Sequence, residues 1–443
     1  MNNRERQDID RREIRRKRRH RNQVIAYIVL FLFITFLSAG IVYGVKMYTE
    51  REKQSDTQTN QSQVEELFQS EEPLVIVEQS TEVTEPELTP EEKLDEIVDA
   101  AIEVMPLEDK VAGLFMVRPE SITGVSTAVK AGDGTREALA KHAVGGIVYF
   151  AKNIQSEEQL KEMISNTRSY SKYPLFIGID EEGGSVSRLA DKSLEDRVDS
   201  AQVISQTLDA SNAYQAGMTI GTYMVEYGFD LDFAPVADLT NIRNSIMTKR
   251  SFGSDAASAI PFVTSMMQGL EEQGITACVK HFPGIGSTVQ DTHDGLAVSN
   301  RTAEEFRAEE FTVFKAAIDA GANMIMVGHM AAPSLVGDNT PSSMSSVIVT
   351  DILRDELGFE GVIITDAMDM SAISEYYESD HAAIMALKAG CDMILMPDDY
   401  EAAYNGVLQA VKDGVISEER VNDSLRRIYR IKLADKVDGN PVK

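Results

Sequence analysis

The stretch GVIITDAMDM, residues 361–370, joins a continuous apolar run to a carboxylate, Asp366. A run without polar alternation is typical of a parallel strand that is buried on both faces. Seven more runs share this character: VAGLFMV (111–117), GGIVYF (145–150), LFIGID (175–180), LDFAPV (231–236), ITACVKHF (275–282), ANMIMVGH (322–329) and DMILMP (392–397). Helix-like amphipathic segments separate them. The pattern predicts an α/β fold, a (β/α)8 TIM-type barrel that forms a single catalytic domain.

A doubly wound open sheet is the main rival to the barrel. The first apolar run, however, is not followed by the Gly-rich fingerprint of a dinucleotide-binding sheet. The barrel is therefore the preferred prediction.

Four of the apolar runs end in a side chain that can do chemistry: Asp180, the pair Lys280-His281, His329 and Asp366. Any one of them could simply bond to backbone at the end of a strand. In a barrel, however, the carboxyl ends of the strands meet at one face, where the active site is built. The coincidence predicts a site there, in which Asp366 is either a structural cap or a nucleophile.

The segment DEEGG, residues 180–184, places Asp180 directly after a strand and lets Gly183 and Gly184 turn the backbone tightly. Arg188 follows on the same loop. A carboxylate beside a guanidinium suits recognition of sugar hydroxyls, although the two could also form a plain ion pair.

The loop KHFPGIGSTVQDTHDG, residues 280–295, carries Asp291 and His293 two positions apart. A carboxylate bonded to one imidazole nitrogen fixes the tautomer and stabilises the protonated ring. Such a pair is suited to general acid/base catalysis near neutral pH. A simple surface turn is the alternative interpretation.

A zinc site formed by histidines and aspartates is a weaker interpretation of the same residues. His281, His293 and His329 could contribute ligands, but the chain has neither a His-x-His pair nor an HExxH motif. The acid/base interpretation requires no metal or organic cofactor.

The N-terminal part of the 443-residue chain differs in composition from the remainder. Residues 1–23 hold ten basic and four acidic side chains, and residues 24–45 form a 22-residue run without charge. This order predicts a cytoplasmic tail and an uncleaved transmembrane signal-anchor helix, which would place the rest outside the cell. A cleaved signal peptide is the competing interpretation, because Ser38-Ala39-Gly40 offers small residues.

Residues 46–89 are rich in Glu, Gln, Ser and Thr, which is typical of a disordered acidic tether. The catalytic domain is predicted over residues 90–437, starting at a capping box formed by Thr89 and Glu92. The formal net charge of the chain is −28. Because this charge would repel phosphate, we do not expect the acidic domain to bind nucleic acid.

Several segments resemble the family 3 glycoside hydrolases, specifically the β-N-acetylglucosaminidase branch, and the resemblance covers about residues 96–435. The segments that carry it are LEDKVAGLFMV, VGGIVYFAKNI, PLFIGIDEEGGSVSRL, GFDLDFAPVADL, KRSFG, KHFPGIG with DTH, and LGFEGVIITDAMDM. The resemblance implies a (β/α)8 barrel and a retaining mechanism.

Residue roles follow from the resemblance position by position. Asp366 would be the nucleophile, and His293, paired with Asp291, would be the acid/base. The residues that would hold the sugar beside the scissile bond are Asp180, Arg188, Arg250, Lys280 and His281. The chain departs from the usual pattern at Ser185, where a basic residue is common, at Ile285, where histidine is common, and at Ala297, where proline is common.

The resulting expectation is an exo-acting enzyme that releases terminal β-linked N-acetylglucosamine from glycans of the peptidoglycan type. Its partners would be that glycan substrate and the membrane. A phosphorylase or a glycosidase for another sugar, within the same family, is the first alternative. A catalytically silent wall-binding module is an alternative from a different class.

Overall fold

A computed structural model describes residues 88–240, 245–286, 288 and 295–437. The predicted tail (1–23), the predicted membrane span (24–45) and most of the predicted tether lie outside these residues. The Asp291–His293 pair lies outside them too. Among the described helices, none combines the length and apolar character that a membrane crossing requires.

Within the described residues, ten strands form one large parallel sheet and one small hairpin. Their bounds are β1 Phe115–Val117, β2 Gly146–Val148, β3 Phe176–Ile179, β4 Glu181–Gly183, β5 Val186–Ser187, β6 Leu231–Asp232, β7 Thr276–Phe282, β8 Met324–Val327, β9 Val362–Thr365 and β10 Ile394–Leu395. The large sheet has the order β10-β1-β2-β3-β6-β7-β8-β9 with every pairing parallel. A further parallel bridge joins Ile364 in β9 to Met393 beside β10, so the sheet is a nearly closed barrel.

Each of the eight predicted apolar runs contains one barrel strand, so the predicted α/β class and strand number are confirmed. The reason is the burial pattern. All residues of β1, β2, β3, β8 and β9 are buried, because the strands face packed side chains inside the barrel and helices outside it. Only the two-stranded antiparallel hairpin, β4 with β5, was not predicted.

Helices connect the strands and cover the barrel. The α-helices are Pro90–Glu103, Leu107–Ala112, Pro119–Thr123, Asp133–Lys141, Glu157–Tyr170, Ala201–Gln206, Ser211–Tyr227, Ala256–Glu271, Ala303–Ala308, Glu310–Asp319, Pro333–Val336, Ser371–Ser374, Ser379–Ala389, Tyr400–Lys412 and Glu418–Lys432. A π-helix spans Val347–Glu356, and 3₁₀ turns span Ala151–Asn153, Ala190–Lys192, Ser342–Met344 and Ala434–Lys436.

The predicted capping box at the first helix is confirmed. The Thr89 hydroxyl accepts a hydrogen bond from the Glu92 amide, and the Glu92 carboxylate accepts one from the Thr89 amide. These two bonds satisfy amides that otherwise have no partner in the first turn of a helix.

Candidate active site

A cavity of about 710 Å³ opens at the carboxyl ends of the barrel strands. Its walls come from both halves of the barrel: Arg118 follows β1, Phe150 follows β2, Asp180 follows β3, Lys280 lies in β7 and Asp366 follows β9. Residues at the ends of several strands therefore line one cavity, because parallel strands place their last residues at the same face of the barrel.

Lys280 is the electrostatic centre of the cavity. Its side chain is only 2% exposed, and its Nζ lies 2.7 Å from Asp180 Oδ1 and 2.7 Å from Glu182 Oε1. Burial alone would lower the pKa of this ammonium, but the two carboxylates outweigh burial and raise it. The lysine stays charged and fixes both carboxylates.

Arg250 forms a two-pronged ion pair with the same Glu182. Its Nε donates to Glu182 Oε2 at 2.7 Å and its Nη2 to Oε1 at 2.6 Å. Burial tends to raise the pKa of Glu182, but Lys280 and Arg250 outweigh it, so the net pKa lies well below its ordinary value.

Asp180 is held by two cations. Besides Lys280, Arg188 approaches its Oδ2 at 3.4 Å, and the guanidinium of Arg188 lies 5.7 Å from the centre of the Phe150 ring. The pKa of Asp180 is lowered, since these two cations outweigh the effect of burial. An ionised carboxylate beside donors of this kind can accept hydrogen bonds from sugar hydroxyls.

The ring of His281 is oriented by a buried aspartate. Its Nδ1 lies 2.7 Å from Asp238 Oδ2, and the carboxylate can only accept, so Nδ1 carries the proton. Asp238 also accepts from the backbone amides of His281 and Ile285. The loop after β7 is thereby fixed at its start, with His281 and Ile285 both lining the cavity.

Asp366 stands at the end of β9 and lines the cavity. Its amide donates to Val327 O at 2.9 Å, and its Oδ1 accepts from the Ala367 amide at 2.8 Å. Burial tends to raise its pKa, but nearby positive charge, of which His281 is the largest source, together with the hydrogen bond from the Ala367 amide outweighs burial and lowers it. The carboxylate is therefore ionised at neutral pH, as a nucleophile must be.

Comparison with known proteins identifies the family. The model of the glycosyl hydrolase family 3 N-terminal domain matches residues 106–431. The chain belongs to glycosyl hydrolase family 3. It is accordingly a glycoside hydrolase, and the resemblance seen in its sequence motifs is confirmed.

Relatives within family 3 include two curated bacterial proteins, both named beta-hexosaminidase. The chain is 33% identical to the Nitrosomonas eutropha protein over 274 residues, which are 60% of this chain and 78% of that protein. It is also 33% identical to the Idiomarina loihiensis protein over 304 residues, covering 68% of this chain and 91% of that one.

A solved structure of a family 3 beta-N-acetylglucosaminidase from a Paenibacillus species is also similar. It has a TM-score of 0.68 and 30% identity, and the match covers 75% of this chain. The chain spans 63% of that structure, which is less than two thirds of its length.

The structure brings together six of the eight predicted site residues of this family 3 domain. Asp180, Arg188, Arg250, Lys280, His281 and Asp366 all line the one cavity. The other two, Asp291 and His293, lie outside the described residues. The roles assigned to all eight stay predictions.

Glu182, Arg118 and Asp369 line the same cavity, and sequence reasoning missed them. Arg118 Nη2 lies 2.8 Å from Asp369 Oδ2, so these two form a second ion pair. A signal for Glu182 existed in DEEGG, because residues 180 and 182 face the same side of an extended segment. Arg118 and Asp369 stand in short irregular connections, where no such period applies.

The departures from the usual family 3 pattern occupy different places. Ile285 is buried and lines the cavity, so an apolar surface stands where histidine is common. Ser185 is exposed at the turn between β4 and β5 and does not line the cavity. Gly183 and Gly184 on this turn have φ of 84° and 58°, as predicted for a tight turn.

Two of the three histidines considered as zinc ligands, His281 and His329, have other partners, and His293 lies outside the described residues. His281 is bonded to Asp238, and His329 is bonded to Ser343 and Ala367. Within the described ranges, no group of three or more His, Cys, Asp or Glu side chains is arranged to hold a metal ion.

Proposed function

We propose that the protein is a retaining exo-β-N-acetylglucosaminidase with Asp366 as the nucleophile. The observation that carries the proposal is the position of Asp366, which lines a cavity shared with Asp180, Lys280 and Arg250. The lowered pKa of its carboxyl agrees with this role. The family and the names of the relatives support a hexosaminidase activity. Terminal N-acetylglucosamine of peptidoglycan-type glycans is the substrate that the motif resemblance favours.

The first step would transfer the sugar to the enzyme. An Asp366 oxygen would attack the anomeric carbon and form an acylal ester, while the bond from that carbon to the glycosidic oxygen breaks. The departing oxygen would take its proton from His293, whose ring Asp291 would orient. The bonding pair of the broken bond leaves with that oxygen, and the alcohol is released.

The second step would return the enzyme to its starting state. Neutral His293 would take a proton from water, the water oxygen would attack the anomeric carbon, and the bond to Asp366 would break. Two inversions at one carbon retain the β configuration. Ile285 supports this part of the proposal, because it lines the cavity only eight positions before residue 293. Eight residues can extend over at most about 29 Å, so this length of chain is sufficient for residue 293 to reach the cavity.

The decisive experiment compares the wild type with Asp366→Ala on p-nitrophenyl N-acetyl-β-glucosaminide. We expect the variant to lose at least roughly 10³-fold in kcat, because no covalent intermediate can form. Near wild-type turnover would remove Asp366 from the mechanism. Product analysis in phosphate buffer adds a second criterion: free sugar of β configuration supports hydrolysis, whereas sugar 1-phosphate would indicate a phosphorylase.

For residues 1–89, we further propose a cytoplasmic tail, a membrane anchor and a tether that hold the enzyme at the outer face of the cell membrane. The supporting observation is the charge order, in which ten basic side chains precede a 22-residue uncharged run. Protease added to intact spheroplasts should remove the catalytic domain from the membrane fraction. A catalytic domain that is protected until lysis would contradict this arrangement.

A further inference from the structure

His329 follows β8 and is fully buried just beneath the cavity surface, so it does not touch the space available to substrate. Its Nε2 lies 2.9 Å from the carbonyl oxygen of Ala367, and its Nδ1 lies 2.8 Å from Ser343 Oγ. A carbonyl oxygen can only accept a hydrogen bond, so Nε2 carries the proton. Nδ1 of the neutral ring then accepts from the Ser343 hydroxyl.

The neutral form of His329 agrees with its surroundings. Burial lowers the pKa of the ring, and it outweighs the attraction of the nearby Asp366 carboxylate. Ser343 is itself fully buried, and its amide donates to Gly328 O at 3.1 Å. The serine that donates to Nδ1 is therefore fixed to the residue that precedes the histidine.

Ala367 connects His329 to the proposed nucleophile. The Ala367 amide donates to Asp366 Oδ1 at 2.8 Å, while the Ala367 carbonyl accepts from His329. The neighbouring backbone is held as well, because the Met368 amide donates to Leu395 O at 2.9 Å. One oxygen of the carboxylate is thus bonded to the amide of a residue whose carbonyl is in turn bonded to the histidine.

We propose that His329 is a positioning residue, which orients Ala367 so that its amide fixes Asp366 Oδ1 and leaves Oδ2 to attack the anomeric carbon. The inference rests on the proposed function, because it assumes that Asp366 is the nucleophile. Misplacing a reacting group by about 1 Å can cost roughly 10²-fold in rate. The loss should appear in the covalent step and leave substrate binding intact, since His329 lines no part of the cavity.

Two uncharged substitutions at residue 329 distinguish its hydrogen bond to the Ala367 carbonyl from its packing alone. In His329→Gln, the side-chain amide nitrogen stands near the place of Nε2 and can donate to Ala367 O. In His329→Asn, the amide stands near the place of Nδ1, so it can pair with Ser343 but cannot reach Ala367. Both variants are polar and smaller than histidine, and both leave space near the ring.

The measurement is the rate at which a 5-fluoro N-acetylglucosaminyl fluoride labels the protein, followed by intact mass and by peptide mapping to Asp366. Steady-state kcat and KM on the aryl glycoside accompany it. We expect His329→Asn to slow labelling and kcat by roughly tenfold to a hundredfold with KM within twofold, whereas His329→Gln recovers most of the rate.

His142 provides the matched control. It is buried like His329, but it is bonded to Glu401 and packed in edge contacts against the rings of Tyr400 and Tyr404, and it does not line the cavity. His142→Asn and His142→Gln should lower the melting temperature while labelling keeps the wild-type rate. If the replacement of any buried histidine reduced the rate through general destabilisation, labelling of the His142 variants would be slower as well.

The outcomes are distinguishable. If the wild type is labelled at Asp366 and the two His329 variants react equally fast, or only KM changes, the positioning role is wrong although the proposed function stands. If the wild type is labelled at another residue, the proposed nucleophile is wrong and the inference about His329 falls with it.

Discussion

Glu182 balances the charge of the cavity floor. It accepts three hydrogen bonds, two from Arg250 and one from Lys280, and its side chain is only 5% exposed. Two cations buried at this spot are tolerable only because carboxylates stand against them. If Glu182 lost its charge, the two cations Lys280 and Arg250 would repel each other. Asp180 would then be the main carboxylate left to balance them.

Glu182→Gln keeps the shape of the side chain and removes its charge. We expect kcat/KM to fall by roughly 10²-fold or more, because Lys280 and Arg250 are released from their positions in the cavity lining, where we propose that the sugar binds. Breaking a buried ion pair also costs about 3–5 kcal/mol of stability. Kinetics on the aryl glycoside and thermal melts should therefore both be recorded, at a temperature where the variant is folded.

Asp230→Asn is the control for this prediction. Asp230 pairs with Lys432 and Arg168 just before β6, at the end of the barrel opposite to the cavity. The Asp230→Asn substitution should lower the melting temperature, while kcat/KM stays within about twofold of the wild-type value. Equal kinetic losses in both variants would show that general destabilisation, and not the cavity charge, accounts for the effect.

The residue scale also shows where sequence reasoning succeeded and where it failed. Asp366, Asp180 and Lys280 were found because each ends an apolar run, and strand ends meet at one face. His329 was found in the same way, but the structure shows it beneath the cavity with both ring nitrogens bonded. The place of a residue in its strand predicts at which end of the barrel the residue lies. Whether its side chain reaches the cavity or is buried beneath it depends on neighbours that are distant in sequence.

At the scale of elements, the β4–β5 hairpin is tied to the barrel through a buried acid. Glu181 Oε2 accepts from the Leu189 amide, and its Oε1 accepts from Tyr223 Oη, both at 3.2 Å. The Glu181 amide donates to Asp232 Oδ1 at 2.9 Å. Within the described residues, the other oxygen of that aspartate has no hydrogen-bond partner.

Burial raises the pKa of Glu181 to about 7 and that of Asp232 well above its ordinary value. The Glu181 carboxyl therefore keeps its proton in the folded protein up to about pH 7, while the unfolded chain releases it near its ordinary pKa of 4.5. Between these values the folded state binds more protons, so this group makes stability fall as pH rises.

Glu181→Gln imitates the protonated acid and should remove this part of the pH dependence. We expect the wild type to lose roughly 3 kcal/mol more than the variant between about pH 4.5 and pH 7, and the difference to level off above that window. Denaturant unfolding at a series of pH values measures it. A constant difference at every pH would contradict the assignment.

Glu271→Gln separates stability from the function of the hairpin. Burial raises the pKa of Glu271 to about 7 as well, but this residue ends the helix Ala256–Glu271 and lines no part of the cavity. Its variant should flatten the stability profile in the same window. Only Glu181→Gln should also shift the alkaline limb of kcat/KM, since the hairpin and its two flanking residues bring Glu182, Asp180 and Arg188 to the cavity.

The elements themselves were largely predictable for a physical reason. All eight barrel strands lie within largely apolar runs, because strands covered on both faces need apolar residues at most positions. The hairpin could not be predicted in this way, since β4 and β5 have three and two residues and carry functional side chains. Short polar strands are specified by their contacts, here the bonds of Glu181, and not by periodicity.

At the scale of the whole molecule, Asp392 joins the last strands to the C-terminal helix. It is fully buried, and its Oδ2 accepts from Arg354 at 2.8 Å and from the Ile363 amide in β9 at 2.9 Å. Its Oδ1 accepts from Ser424 at 2.8 Å and Arg427 at 3.1 Å, both in the helix Glu418–Lys432. The barrel closes beside this carboxylate, where β10 follows it.

Asp392→Asn should weaken the closure of the barrel without touching the chemistry. The neutral amide of asparagine cannot balance the charges of Arg354 and Arg427, and its NH2 group would face other hydrogen-bond donors. We therefore expect the free energy of unfolding to fall by about 3–5 kcal/mol. In a domain of this size that corresponds to a fall in melting temperature on the order of 10 °C, while kcat and KM at 25 °C stay near wild type because Asp392 lines no part of the cavity. Asp413→Asn is the control, since Asp413 is exposed and its carboxylate accepts from Gln409, one turn earlier in the same helical segment. Circular dichroism melts compare the three proteins. If Asp392→Asn melted with the wild type, the closure would depend on the strand hydrogen bonds and apolar packing alone, and the buried carboxylate would have no part in holding the barrel closed.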